Sequence, residues 1–101
     1  MARRRTAGPP WFVYMLECRG DRLYTGISPD VVARFRKHCA GRGGAFTRSF
    51  PPRRIVAVMQ CVDRSAALKA EHALKQLTRP EKQQWAREWR YRLRARARRS
   101  G

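Results

Sequence analysis

Residues 11–28 read WFVYMLECRGDRLYTGIS: two short β-rich runs, Trp11 to Cys18 and Leu23 to Ile27, separated by the polar stretch Arg19-Gly20-Asp21-Arg22. Aromatic and β-branched residues suit a pleated, half-buried surface, and Gly20-Asp21 supplies turn chemistry, so the unit is a predicted hairpin. Its loop length decides which side chains meet, because residues alternate faces along a strand. A two-residue turn at Gly20-Asp21 pairs Arg19 with Arg22 and sends Tyr14 and Tyr24 to opposite faces. An odd loop, Arg19 to Asp21 with Cys18 facing Arg22, pairs Tyr14 with Gly26 and Leu16 with Tyr24. The two tyrosines share a face only in that second register or with a bulge.

Working outward, Ser28-Pro29 offers an N-cap followed by proline, which predicts a first helix from about Pro29 to Cys39, ending near Gly41. Val32, Phe35 and Cys39 are its expected buried stripe, with Arg34 and His38, four apart, together on another face. Gly41 to Pro52 is a glycine-rich basic loop, and Arg54 to Cys61 a third strand. Ser65 is the expected cap of a second long helix to about Leu77. Thr78-Arg79-Pro80-Glu81 has capping-box spacing for a third, from Pro80 to about Arg90. The predicted fold is α+β: a small three-stranded antiparallel sheet flanked by about three helices, in the order β-β-α-β-α-α.

The 101 residues suffice for one small domain, expected over residues 11–90 between a disordered basic arm (1–10) and an arginine-rich tail (91–101). Lys and Arg number 24 against 7 Asp and Glu, a formal net charge of +17. The excess is not confined to the ends, since Trp11 to Thr78 holds twelve basic and five acidic residues. Such a surface points to a polyanionic partner, first of all nucleic acid. Cys18, Cys39 and Cys61 fit no zinc spacing and are odd in number, which favours a reduced, cytoplasmic setting. No apolar run is long enough for a membrane span, and neither a secretory nor a twin-arginine signal is completed after Arg3-Arg4-Arg5. A soluble, cytoplasmic monomer, free or associated with the nucleoid, is the expectation.

Several side chains can carry chemistry. Tyr14 and Tyr24 are ordinary strand residues taken singly, but Gly26 beside the second lets a backbone or ligand approach closely. Arg34 is either a solvated helix arginine or a planar donor for two phosphate oxygens. His38 is either a surface histidine or an acid-base group near neutral pH. Glu71 falls on the rim of the apolar arc Ala66, Ala67, Ala70, Ala73, Leu74 and Leu77, where it either pairs with Lys75 or holds a hard divalent cation.

Taken together, Phe12-Val13-Tyr14, Tyr24-Thr25-Gly26, Arg34, His38, Gly44-Ala45-Phe46-Thr47-Arg48 and Glu71 resemble the GIY-YIG nuclease family over roughly Trp11 to Trp85. The likeness is to its small, stand-alone branch. Phe12 stands where the naming glycine would be, and Phe46 where an aromatic hydroxyl is common. The resemblance implies a metal-dependent DNA endonuclease of little sequence specificity, with a possible preference for branched or nicked DNA in repair or recombination. It implies Tyr14, Tyr24, Arg34 and His38 as catalytic groups, Gly26 as structural support and Glu71 as ligand of one Mg²⁺ or Mn²⁺. Arg36, Lys37, Thr47 and Arg48 are candidate contacts to the DNA backbone. The alternative is a non-catalytic, basic nucleic-acid-binding protein on the same fold.

Overall fold

The computed structural model describes residues 9–92. Most of the basic arm and of the arginine-rich tail, residues 1–8 and 93–101, lies outside the described residues. Strands β1 (Trp11–Cys18) and β2 (Arg22–Ser28) form the hairpin, followed by helix α1 (Val31–Cys39), a one-turn helix α2 (Ala45–Ser49), strand β3 (Pro52–Cys61) and helices α3 (Arg64–Lys75) and α4 (Arg79–Glu88). The sheet is antiparallel with β1 central, in the order β2-β1-β3. Three strands and three longer helices thus follow the predicted β-β-α-β-α-α order, and α2 is a single turn inside the glycine-rich loop.

The hairpin takes the odd register. Cys18 faces Arg22 across the three-residue loop Arg19–Asp21, Tyr14 pairs with Gly26 and Leu16 with Tyr24. Gly20 and Asp21 both sit at positive φ (76° and 58°), a conformation glycine adopts freely and aspartate tolerates. Alternation then separates two apolar layers. Val13 packs with Ala67, Leu74 and Cys61 beneath α3 and α4, with Trp11, Ile27 and Trp85 around them. Tyr14, Leu16 and Cys18 pack on the opposite face with Val31, Phe35 and Phe50. Each fully buried apolar side chain in these layers contributes about 1.5–3 kcal/mol.

Helix entry differs from expectation at two places. The α1 cap is Asp30, whose carboxylate accepts from the Ala33 N–H at 3.0 Å, whereas Ser28 Oγ accepts from the Asp30 N–H and folds Pro29 into the turn ahead of the helix. Likewise Asp63, not Ser65, caps α3 by accepting from Ala66 N–H at 2.8 Å. In both segments the carboxylate stands at the position whose backbone is still extended, which is the geometry a cap requires. Thr78 and Glu81 complete the predicted reciprocal capping box of α4.

The inward stripe of α1 is also not the expected one. Val31, Arg34, Phe35 and His38 face the sheet, while Val32 is 40% exposed and Cys39 lies at the surface. Of the expected stripe Phe35 alone packs inward, and polar side chains occupy half of the buried face, so apolar spacing alone misplaced the stripe at Val32 and Cys39. After α4 the chain turns back as an extended piece: Val58 N–H donates to Trp89 C=O and Tyr91 N–H to Val56 C=O, pairing residues 89–91 with the free edge of β3. The folded unit therefore reaches Tyr91, one residue into the segment assigned to the tail.

Candidate active site

The odd register brings Tyr14 and Tyr24 onto one face, with ring centroids 6.4 Å apart. Tyr14 is 1% exposed, and its ring crosses Gly26 so closely that a Cβ there would lie 2.5 Å from the hydroxyl. Gly26 is thus a floor for the phenol rather than a flexible joint. His38, fully buried on α1, meets that hydroxyl: Tyr14 Oη and His38 Nε2 are 2.9 Å apart. On the other side of the imidazole, Nδ1 lies 2.7 Å from Thr47 Oγ1.

Protonation limits the directions this chain can take. Burial, with the neighbouring Tyr24 adding to it, pushes the Tyr14 hydroxyl up to about 12, and the Arg34 guanidinium only partly offsets this. The phenol is therefore protonated at neutral pH. Burial, assisted by the positive charge of Arg34, holds His38 below its ordinary 6.5, so the imidazole is neutral. A neutral ring donates from one nitrogen and accepts at the other, so either Tyr14 donates to Nε2 and Nδ1 donates to Thr47 Oγ1, or Thr47 donates to Nδ1 and Nε2 donates to Tyr14 Oη. Thr47, 1% exposed on α2, orients the ring through Nδ1.

Stability should follow His38. The unfolded chain takes up a proton near pH 6.5 that the folded chain accepts only at lower pH, so the contribution is complete above 6.5 and is lost as pH falls through the lowered value. Thermal unfolding between about pH 8 and pH 5 should show Tm declining on the acid side, and the decline should shrink in His38→Gln.

Gly43 closes the site from the loop. A Cβ at this position would collide with His38 Nδ1 and lie 2.6 Å from the ring carbons Cγ and Cε1. Gly43→Ala should consequently displace the imidazole, destabilise the fold by about 1–3 kcal/mol, and weaken the Tyr14–His38 contact. Chemical denaturation of the variant checks the first effect and the His38 ring NMR shifts the second. Gly44, with nothing within 4 Å of its would-be Cβ, makes no such contact.

Tyr24 is half-buried, edge-on to His38 (centroids 5.0 Å) and stacked on Phe46 (5.5 Å, 26° between planes). Phe46 thus packs its ring on Tyr24. Arg34 is half-buried, and its Nε is buried without a hydrogen-bond partner among the described residues. Such a donor is costly to leave unpaired and is satisfied when an acceptor arrives. Glu71 on α3 is half-buried, its side chain 19% exposed, with Lys75 Nζ 3.2 Å from its carboxylate. Its charge is felt at Tyr14, the weakest of the influences raising that hydroxyl.

Arg36 and Lys37 in the last turn of α1, and Arg48 on α2, are exposed as backbone contacts require. Thr47 is not. It was expected at the surface touching DNA, and instead it is buried against His38, because the one-turn helix directs it inward while Arg48 points out. Gly43 went unassigned in the sequence. Its only signals were the Gly43-Gly44 doublet and its position five residues beyond His38.

A buried tyrosine-histidine pair and a half-buried arginine with an unsatisfied donor thus meet where α1 packs on the sheet, and the carboxylate of Glu71 stands on α3. The chain belongs to the GIY-YIG family, the model of whose catalytic domain matches residues 10–84. Among its relatives, a UPF0213 protein of Cupriavidus necator is 43% identical over 77 residues, covering 76% of this chain and 84% of the relative. Another, from Haloquadratum walsbyi, is 47% identical over 78 residues, covering 76% and 86%. The solution NMR structure of a UPF0213 protein from Bacillus halodurans superposes with a TM-score of 0.51 at 35% identity, over 78% of this chain and 84% of that one. Among the described residues no helix is long and apolar enough to cross a membrane.

Proposed function

We propose that this protein is a divalent-metal-dependent endonuclease that hydrolyses DNA phosphodiester bonds with little sequence specificity, acting on branched or nicked DNA in repair or recombination in the cytoplasm. The observation that carries this reading is the buried line Thr47–His38–Tyr14 ending beside Arg34. A purely electrostatic binder has no use for a neutral imidazole and a phenol held together away from solvent.

A phenol near 12 is a poor base by itself. The neutral His38 removes that difficulty, since Tyr14 can pass its proton to Nε2 while it takes one from the attacking water, and no free phenolate has to form. The step uses the tautomer in which Nε2 accepts, and Nδ1 then keeps its proton, hydrogen-bonded to Thr47, throughout. The resulting hydroxide attacks phosphorus, the bond to the leaving oxygen breaks, and that oxygen is protonated from solvent. Arg34 donates to the non-bridging oxygens as charge develops on them, satisfying Nε. Tyr24, fixed between Phe46 and His38, positions the water.

The donor set fits one hard cation. Glu71 is the carboxylate at the site, and among the described residues no group of three His, Cys, Asp or Glu side chains gathers to hold a metal. One carboxylate, with water and phosphate oxygens completing the shell, suits Mg²⁺ or Mn²⁺. When bound, such an ion would polarise the phosphate and stabilise the leaving oxygen. Lys75 would give up its pairing with Glu71, a loss of about 0.3–0.5 kcal/mol for so exposed a lysine.

Arg36, Lys37 and Arg48 hold the backbone of the substrate without reading bases, which gives steep salt dependence and weak sequence preference. Incubation with supercoiled plasmid tests the reading: nicking in Mg²⁺ that stops in EDTA is expected. Binding without nicking under any divalent ion would instead support the non-catalytic binder, which the +17 charge would suffice to explain.

A further inference from the structure

On the face of the sheet turned away from Tyr14, α4 does not seat fully on the hairpin end and leaves an open cavity of about 440 Å³. Its lining includes Arg54 from β3, Arg79, Gln83 and Arg87 from one side of α4, and Arg90 with Tyr91 from the closing extended piece. Glu17, also in the lining, is taken up by Arg54 at 2.7 Å. Among the described residues Arg79, Arg87 and Arg90 pair with no carboxylate. Glu81 and Glu88 lie on the same helix outside the cavity, the first engaged by the backbone of Thr78 and the second facing Gln84.

We infer that this cavity is a second nucleic-acid site, holding an unpaired strand that runs past the domain rather than the phosphodiester at Tyr14 and Arg34. Several observations set the ligand. The three uncompensated guanidiniums call for phosphate, which they bind in planar, two-pronged fashion. Arg79 and Arg87 are eight residues apart on one helix, about 12 Å along its axis, a span wider than one phosphate group and suited to successive phosphates of a strand. The concavity has the volume of a small-ligand pocket, which a single nucleotide enters and the convex surface of a duplex does not. The half-buried Tyr91 on its wall is an aromatic side chain of the kind on which an unstacked base stacks.

The site is built by the fold and not by a loose tail. The capping box sets where α4 begins and so where Arg79 sits. Pairing of Trp89 and Tyr91 with β3 sets Arg90 and Tyr91. Its consequence is a substrate class: DNA that carries a single-stranded branch or gap next to the duplex, with the unpaired strand on the sheet face opposite the tyrosines. The inference does not rest on hydrolysis, and binding without cleavage leaves it intact.

The test is fluorescence anisotropy in EDTA with the full chain and a labelled single-stranded oligonucleotide, over a salt series. Arg79→Ala/Arg87→Ala should weaken binding about tenfold or more near physiological salt and flatten the log-log salt slope by about 1.4, the value for two lost single-strand phosphate contacts. The control Arg53→Ala/Lys69→Ala removes equal charge from exposed positions outside the cavity and should weaken binding by less than about threefold. A blunt duplex should show no difference between the two double variants. Equal losses from both on the single strand would mean that net charge alone is at work and overturn the inference. So would displacement of the strand by a millimolar mononucleotide as readily as by unlabelled strand, which would assign the cavity to a small ligand. Circular dichroism melting of each variant excludes unfolding as the cause.

Discussion

Glu71→Gln should lower the rate of DNA cleavage by about 10³-fold or more while leaving the fold in place. The substitution keeps the size of the side chain and one carbonyl oxygen but removes the charge that would hold a divalent ion. Its structural cost is confined to the pairing with Lys75, about 0.3–0.5 kcal/mol, so Tm should move by only about 1–4 °C. Lys75→Ala breaks the same pair from the other side. If Glu71 served only that pair, the two variants would behave alike. The account expects them to separate, with Lys75→Ala cleaving near the wild-type rate and Glu71→Gln inactive, both read by plasmid nicking at saturating Mg²⁺.

Arg34→Ala should cost about 10²–10³ in the rate of cleavage, the usual consequence of removing one donor aimed at developing charge. Here stability gives an independent reading. The Arg34 Nε is buried with no partner among the described residues, and a buried unsatisfied donor is itself a cost to the folded state. Removing it relieves that cost, so Tm should hold or rise while activity falls, the pattern of a residue kept for its function. The guanidinium also lowers the neighbouring Tyr14 hydroxyl and His38. Without it both should shift upward, and the acid limb of any remaining activity should move to higher pH, since His38 would then protonate sooner. A fall in Tm of several degrees with unchanged cleavage would show instead that Arg34 is a packing residue.

Much of this arrangement was legible in the sequence, though conditionally. Strands, helices and their order follow from aromatic and β-branched runs, turn residues and caps. Register did not follow, because Arg19-Gly20-Asp21-Arg22 accommodates either loop length and only the folded hairpin shows that Cys18 faces Arg22. The two caps were each misplaced by two residues, since Ser-Pro-Asp and Asp-Arg-Ser each offer two candidate oxygens close together. The face of α1 was misread for a different reason. Period analysis assumes that the buried stripe is apolar, whereas Arg34 and His38 are turned inward precisely where the helix meets Tyr14.

Thr47 and Gly43 show what local reading misses in a loop. A threonine beside an arginine in a basic segment looks like a phosphate contact, and nothing nearby in sequence announces a histidine nine residues earlier as its partner. Gly43 needs its missing side chain because of that same ring. The closing piece at 89–91 escaped for the opposite reason. Trp89-Arg90-Tyr91 follows directly on the α4 pattern and is too short to read as a strand by itself, and its pairing is set by the free edge of β3 that it covers.

The central claim is that one site built from Tyr14, His38, Arg34 and Glu71 breaks phosphodiester bonds. The most direct measurement is the single-turnover rate of supercoiled-plasmid nicking in Mg²⁺ by wild type, Glu71→Gln and Arg34→Ala, expressed and purified identically. The account predicts nicking by the wild type, at least a 10²-fold loss in each variant, and retained plasmid binding by all of them in EDTA. Equal nicking by all three proteins would contradict it and assign the activity to a contaminant.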